Sequence, residues 1–403
     1  MYKLILKMAW KNSFLRPART LLVITMIAVS MSMMLGIQGL YDGMVNNMID
    51  KVKRSDSGDI SLYAKDYRVE KDIKYRIKDA LQIKNDIEKI EAVKAVVLRT
   101  RAEGLVSTAR KSTFASIHGI DLKQEEDFGK FSEFLKEGEI SFKSRGAIIG
   151  IELSKTLKVR IGSKLVFSTQ DSSGEINSIA LRIRAIVQTT NIGLDSNAVF
   201  VDVRSLHKFL GTKSIEATQI AIMSEDDKLL DLLKNKYPLL DVKSFLELQP
   251  MIKQMKDMML IFNSITFLIV MSVVFVGIFG VVYVSILDRI REFGIVLGIG
   301  MQYKYIRLQI FLESIIVGLI GYIGGALLGA VFLIYLRDYG LDLSAFSDAL
   351  EMWGYEAIIK GTIKVSYFTT TFGAIISASV LSVLIPLRKI KKLNPIEVIK
   401  AEK

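Results

Sequence analysis

Few side chains in this sequence of 403 residues are grouped in a way that supports covalent chemistry. Its two histidines, His118 and His207, lie far apart with no second ligand cluster beside either, so each reads as a surface or packing residue rather than a metal ligand. Cysteine is absent, which leaves no disulfide framework and no thiol chemistry. No G-x-x-x-x-G-K-[ST] loop is present to cradle nucleotide phosphates, and no G-x-S-x-G, H-E-x-x-H or dinucleotide fingerprint appears. The expectation is a chain that is not an enzyme, with no catalytic or metal-binding residues of its own.

What the sequence does concentrate is charge in one short stretch, "LDRIREFGIVLGIGM" at Leu287–Met301. Asp288, Arg289, Arg291, Glu292 and three glycines (Gly294, Gly298, Gly300) sit there between two of the most apolar runs in the chain. Such a stretch supports non-covalent chemistry. Its arginines can pair with carboxylates, Glu292 with a base, and Phe293 can fill an apolar notch as an anchor. That is the equipment of a docking segment, and any energy the protein uses must then come from a partner.

The elements that position this stretch are long and apolar. Runs at Leu21–Leu40, Met258–Leu287, Leu308–Leu336 and Tyr367–Leu387 contain no Lys or Arg, and each reaches the roughly 20 helical residues a bilayer core requires. Four transmembrane helices are therefore expected. The first run lies too deep and is too long for a cleaved signal peptide, so it reads as an uncleaved signal anchor. The charge distribution orients them: residues 1–20, 288–307 and 388–403 carry a net +11 of the chain's +12. Short flanks rich in Lys and Arg stay in the cytoplasm. Both termini and the charged stretch are thus expected inside and residues 42–256 outside, an arrangement that accounts for the basic charge without nucleic acid.

The outer segment alternates strand-like and helical runs in a mixed α/β pattern, with "QDSSGEINS" reading as a hairpin turn and a division into subdomains expected near residue 145. The fold class is an α+β membrane protein, with four transmembrane helices and a large extracytoplasmic mixed α/β domain between the first and second. The expected order is a cytoplasmic amphipathic helix (1–20), a first span (21–41), the outer domain (42–256), a stalk and second span (257–287) and a charged cytoplasmic segment (288–307). A third span (308–336), an outer loop (337–366), a fourth span (367–387) and a cytoplasmic tail (388–403) complete it. In the N-terminal helix Leu4, Met8 and Leu15 oppose Lys3, Lys7 and Lys11, a spacing suited to the inner membrane face and its lipids.

Within the spans three features stand out. Gly321, Gly325 and Gly329 recur every four residues and form an expected helix-packing seam. Glu313 is an intramembrane acid, either a functional group or a partner for Arg307 near the interface. Met31, Met34 and Phe275 are a weak candidate lining for a lipid-facing slot, which ordinary packing explains equally well.

"RIREFGIVLGIGM" resembles the R-x-R-E-[FI]-G-[IV]-x-x-A-[IL]-G-[MA] segment between the second and third spans of FtsX/MacB-type ABC transporter permeases, with Gly298 at the usual alanine. "AWKNSFLRPARTLLVITMIAVSMSMMLGIQGLYDGM", "AIIGIELSKTLKVRIGSKLVF", "FLESIIVGLIGYIGGALLG" and "PLRKIKKLNPIEVIKAE" resemble further family segments, so the likeness covers nearly the whole chain. It implies a permease subunit in the bacterial cytoplasmic (inner) membrane, pairing with a second permease (this chain or a paralogue) and two ATPase subunits. ATP and Mg would be bound by those ATPases and no cofactor by this chain. By the same resemblance Arg289, Arg291, Glu292, Phe293, Gly294 and Met301 would contact the ATPase, which drives the outer domain by mechanotransmission.

No ATPase domain is fused here, which favours the lipoprotein-releasing LolC/LolE-like branch, as do "SGDISLYAKDY" and "YGLDLSAF". The substrate implied is a lipoprotein or another amphiphile, and a periplasmic carrier is a further implied partner. The long hook that recruits a carrier in that branch has no counterpart in the short "STQDSSGEINSIAL". Two alternatives stand beside lipoprotein release: MacB-like efflux of peptides or toxins, and FtsX-like regulation of a cell-wall hydrolase without transport.

Overall fold

The computed structural model describes the chain from Tyr2 to Lys391, apart from Thr190, Asp227, residues 348–349, 351–354 and Glu356. Most of the expected cytoplasmic tail, from 392 to 403, therefore lies outside the described residues. The chain divides into two compact units. Residues 1–45, 256–344 and 358–403 make the first, and 46–255 with 345–357 make the second.

In chain order the elements are α1 (Tyr2–Ser13), α2 (Pro17–Val52), β1 (Ile60–Ala64), α3 (Tyr67–Glu70), α4 (Ala80–Glu88), β2 (Val93–Ser107) and β3 (Ser112–Ile120). Next come α5 (Leu122–Gly129), β4 (Leu135–Gly138), β5 (Gly146–Gly150), α6 (Ile151–Leu157), β6 (Lys164–Gln170) and β7 (Ile176–Val187). They are followed by α7 (Ile192–Asn197), β8 (Ala198–Asp202), α8 (Val203–Leu210), β9 (Gln219–Ser224), α9 (Leu229–Lys236), β10 (Leu240–Ser244) and α10 (Phe245–Leu248). The C-terminal part holds α11 (Pro250–Asp288), α12 (Ile290–Gly298), α13 (Tyr303–Asp338), β11 (Leu341–Asp342), β12 (Ile358–Ile359) and α14 (Val365–Lys391).

Among the described residues four helices, α2, α11, α13 and α14, are long and apolar enough to cross a membrane. Their common core is built from stripes at four-residue spacing, the period that keeps one helical face inward. Val23, Ile27, Met31 and Leu35 of α2 meet Val274, Ile278, Val282 and Ile286 of α11, with Ile310, Val317 and Leu333 of α13 and Ile375 and Val383 of α14. In lipid the hydrophobic effect does not hold helices together, so polar contacts between them count. Ser314 Oγ donates to the Ser379 carbonyl at 3.0 Å, Tyr303 Oη to that of Leu387 at 2.7 Å and Tyr322 Oη to that of Phe368 at 3.1 Å, tying α13 to α14. At the chain start α1 buries Ile5, Ala9 and Ser13 and leaves Leu4, Met8 and Trp10 exposed. Thr20 Oγ1 closes the α1–α2 corner by donating to the Ser13 carbonyl at 2.6 Å.

The second unit is a mixed α/β domain in two parts joined by one long strand. The first half of β2 pairs with β9 (Val97 opposite Ala221) and the second half with β3 (Thr100 opposite Gly119). In the first part β10-β1-β9-β2 is an antiparallel sheet covered by α4 and α9, the order of a split β-α-β unit. Its core holds Leu62, Ile87, Ile220, Ile222 and Leu233. The other part lies between β2 and β9 in sequence. There β2, β3, β8, β5, β7 and β6 pair in turn, and β6 pairs back onto β2, so the strands close into a barrel. Closure leaves no open edge around the ring, and Val106, Ile117, Ile149, Phe167, Ile183 and Val199 pack together in its core. The subdomain division expected near 145 is therefore not a cut at one point. One subdomain is inserted within the other, because β1, β2, β9 and β10 need each other as sheet neighbours although residues 108–218 intervene between β2 and β9 in the chain.

Candidate functional site

The charged stretch folds at the junction of α11, α12 and α13. Helix α11 stops at Asp288, and Arg289 leaves helical geometry (φ −110°, ψ 15°) before α12 begins at Ile290. A Schellman motif ends α12: Gly300 N–H reaches the Leu297 carbonyl at 3.0 Å and Met301 N–H that of Val296 at 3.1 Å. The motif needs a left-handed residue, and Gly300 supplies it with φ +100°. Gly300 of "GIGM" thus sets a sharp turn between α12 and α13.

Two faces of α12 do different work. Arg289 turns inward: its Nη1 donates to both Glu313 oxygens at 2.9 and 3.2 Å, its Nε to Glu292 at 3.2 Å, and its guanidinium lies 5.0 Å from the Phe293 ring centre. Phe293 and Gly294 are buried in the bundle. This takes Phe293 out of the set available to fill a partner's notch, because its own helices already fill its surroundings. Arg291 and Glu292 are exposed, as are Ile295, Ile299 and Met301, and Ile299 keeps 82% of its surface. A side chain added at Gly298 or Gly300 would meet nothing within 4 Å, so this edge is open to close approach.

Glu313 is buried on α13 and receives a further bond from Gln309 Nε2 at 3.1 Å. Its cation is Arg289 and not the expected Arg307. Six residues along a helix turn through 600°, which places Arg307 about 120° around the helix from Glu313. The expectation also gave no role to Asp288, whose Oδ2 accepts from Arg16 Nη1 at 2.9 Å and Arg19 Nη1 at 3.1 Å. The only sequence signal for that contact was the surplus of bases before the first span.

The glycine seam packs on α2. A Cβ at Gly321 would come within 2.8 Å of Ile27, one at Gly325 within 2.8 Å of Met31 and 2.9 Å of the Ala28 carbonyl, and one at Gly329 within 2.5 Å of Leu35. Met31 and Met34 are buried in the bundle, Met31 directly against Gly325, and Phe275 is half-buried beside the same core. These contacts are those of packing residues.

In the second unit a group that the sequence did not single out anchors the end of α2. The π-helical turn Lys53–Ser57 follows α2, and its Asp56 accepts from Arg101 Nη2 at 2.5 Å and Asn191 Nδ2 at 3.3 Å. Burial alone would raise the Asp56 carboxyl, but Arg101 and Arg99 hold it below the usual carboxylate range. Arg99 is fully buried and gives Glu125 two bonds of 2.6 Å, while its other terminal nitrogen donates to the Asp56 carbonyl. The histidines are internal: His118 Nε2 lies 2.8 Å from Ser116 Oγ, and His207 Nδ1 lies 2.7 Å from Thr212 Oγ1. Among the described residues no group of three or more His, Asp or Glu side chains could hold a metal ion.

Two solved structures resemble the outer domain. One is the periplasmic region of MacB from Actinobacillus actinomycetemcomitans, 15% identical over 48% of this chain and 92% of that one, with a TM-score of 0.33. The other is the extracellular domain of the noncanonic ABC-type transporter YknZ from Gram-positive bacteria, 13% identical over 47% of this chain and all of that one, with a TM-score of 0.32. Among curated proteins an uncharacterized ABC transporter permease of Methanocaldococcus jannaschii is 26% identical over 253 residues, which span 59% of this chain and 63% of that relative. Residues 264–395 match the FtsX-like permease C-terminal family, and residues 20–236, more than half of the chain, match the MacB-like periplasmic core domain. With both domains in this order, the chain belongs to the ABC transporter permeases of the FtsX/MacB type.

Proposed function

We propose that the chain is the non-catalytic membrane subunit of an ABC transporter and that α12 is where it receives force from a separate ATPase. Two ATPase copies, which bind the ATP and Mg, act on a pair of permease subunits in the cytoplasmic (inner) membrane, with both termini of this chain in the cytoplasm. The observation that carries this reading is the division of α12. Arg291, Glu292, Ile295, Ile299 and Met301 are exposed, while Arg289, Phe293 and Gly294 fasten the same helix to the bundle. A push on the open face passes through the Arg289–Glu313 pair into α13 and through the α11 junction into α11. Helices α2 and α11 are each unbroken and contain residues of both units, which suits them to carry such a movement outward.

The substrate we favour is a lipoprotein released toward the outer membrane. The turn between β6 and β7 is only residues 171–175, so direct recruitment of a carrier through a long hook is not part of the proposal.

The test is ATP hydrolysis by the chain purified with a candidate ATPase subunit from the same genome, in lipid, with and without lipoprotein. Formation of a complex stimulated by lipoprotein and uncoupled by Arg291→Glu or Ile299→Asp is the expected outcome. Hydrolysis that ignores lipoprotein would redirect the substrate to peptides or toxins, or the role to regulation of a cell-wall hydrolase. Failure of any ATPase to bind would refute the coupling role of α12.

A further inference from the structure

A cavity of about 220 Å³ lies in the membrane unit beside α12, lined by the α1–α2 corner, the end of α11 and the first half of α13. Its charges fall into two ion-pair groups that form poles of opposite sign. In one the single Asp288 carboxylate serves two guanidinium groups, Arg16 and Arg19, which leaves that group net positive with unused N–H donors. In the other the single Arg289 serves two carboxylates, Glu292 and Glu313, which leaves that group net negative. Val281, Val282 and Val317, which lie deeper along the spans in sequence, and the hydroxyl residues Ser13, Thr20 and Ser285 complete the lining. Arg16 and Arg19 flank the start of the apolar part of α2, and Arg289 directly follows the last residue of α11, so each pole has its cation at an end of a span, at interfacial depth.

We propose that this cavity binds the headgroup of a zwitterionic phospholipid carrying a primary ammonium, as in phosphatidylethanolamine. The phosphate faces Arg16 and Arg19, whose forked donors suit its oxygens. The ammonium faces Glu292 and Glu313, which accept its N–H bonds. The valines take the glycerol end, where the lipid turns into the bilayer. The volume is many times the roughly 10–15 Å³ that a single water needs, which leaves room for one small headgroup. An anionic headgroup such as phosphatidylglycerol satisfies the arginines but leaves the carboxylate pole unanswered. A choline headgroup presents methyl groups where N–H donors are required. The inference rests on the chain spanning a membrane and not on its coupling to an ATPase, and its readout contains no ATPase.

The test uses the full chain reconstituted in nanodiscs containing equal parts of phosphatidylethanolamine, phosphatidylcholine and phosphatidylglycerol, with retained lipid counted by native mass spectrometry. Retention of phosphatidylethanolamine about tenfold over either competitor is expected. Arg16→Gln with Arg19→Gln should abolish that retention, and Glu292→Gln should reduce the preference for phosphatidylethanolamine over phosphatidylglycerol. The Glu292 side chain is 66% exposed, so its variant remains informative if the double variant fails to fold. Equal retention of the three lipids, preference for phosphatidylglycerol, or indifference to both variants would overturn the proposal. So would soluble phosphoethanolamine displacing the lipid at equal concentration, because the site would then belong to a free phosphate compound.

Discussion

Arg99 heads the fully buried side chains, and its position makes a sharp prediction. With Glu125 it forms an ion pair in which both side chains are almost wholly enclosed, and Phe128 lies against the guanidinium at 5.1 Å. Arg99→Met leaves the Glu125 carboxylate buried and unpaired, at a cost of about 3–5 kcal/mol, whereas Arg99→Met with Glu125→Met removes both charges and should recover most of that loss. Urea unfolding of the full chain in detergent, followed by circular dichroism, measures both; a double variant no more stable than the single one contradicts the account. His118 makes a second prediction. Burial, then the nearby Arg101 and Arg99, holds its imidazole well below the usual value, so the folded state keeps it neutral while the unfolded chain takes up a proton near pH 6.5. Its contribution is complete above that pH and falls as pH drops toward the folded value, by up to about 1.4 kcal/mol per pH unit. The melting temperature should therefore fall more between pH 7 and 5.5 in the wild type than in His118→Gln. A smaller slope persists in that variant from His207, also lowered by burial. None of this ionic cluster was legible in the sequence. Alternation in "VKAVVLRTRAEGLVS" puts Arg99 and Arg101 on one strand face, but only the arrival of α5 and the π-helical turn, distant in sequence, makes that face an interior.

At the scale of elements the spans were legible and the pairings were not. Bilayer thickness sets a length that composition alone can meet, so four apolar runs read directly as four helices. Their true ends depend on the polar residues that flank each run: the first expected span, 21–41, lies within α2, which continues to Val52. Barrel closure by β6 onto β2, and the choice of Arg289 over Arg307 by Glu313, depend on contacts between distant segments that periodicity does not encode. The glycine seam lies between these cases, since its spacing was visible but its partner helix was not. It yields a prediction with an internal control. Gly325→Leu forces a side chain against Met31 and the Ala28 backbone and should destabilise the bundle by about 1–3 kcal/mol or more. Gly324→Ala places its methyl at an ordinary 3.5 Å from Ala28 and should leave the melting temperature nearly unchanged. Equal effects of the two substitutions on thermal unfolding in detergent would mean that the seam is not a close-packed contact.

For the whole molecule the decisive property is orientation, because α12 can meet an ATPase only if it faces the cytoplasm. The proposed orientation rests on the concentration of Lys and Arg in three short segments beside the spans, whereas the long segment 42–256 has 36 bases against 31 acids and a segment of that length translocates largely regardless of its charge. The absence of cysteine makes the test clean, since any thiol introduced is the only one in the chain. Arg110, at the exposed turn between β2 and β3, and Ile299, at the exposed end of α12, are the informative positions. In intact spheroplasts a membrane-impermeant maleimide should label Arg110→Cys at once and leave Ile299→Cys unlabelled until the cells are broken. Adding the ATPase partner to the broken membranes should then protect Ile299→Cys and not Arg110→Cys. The reverse order of labelling would turn the molecule over in the membrane and remove α12 from the side where ATP is hydrolysed. Correct labelling without protection would keep the orientation but move the ATPase contact elsewhere on the chain. The same pair of thiols thus separates an error in topology from an error in the assignment of the docking surface.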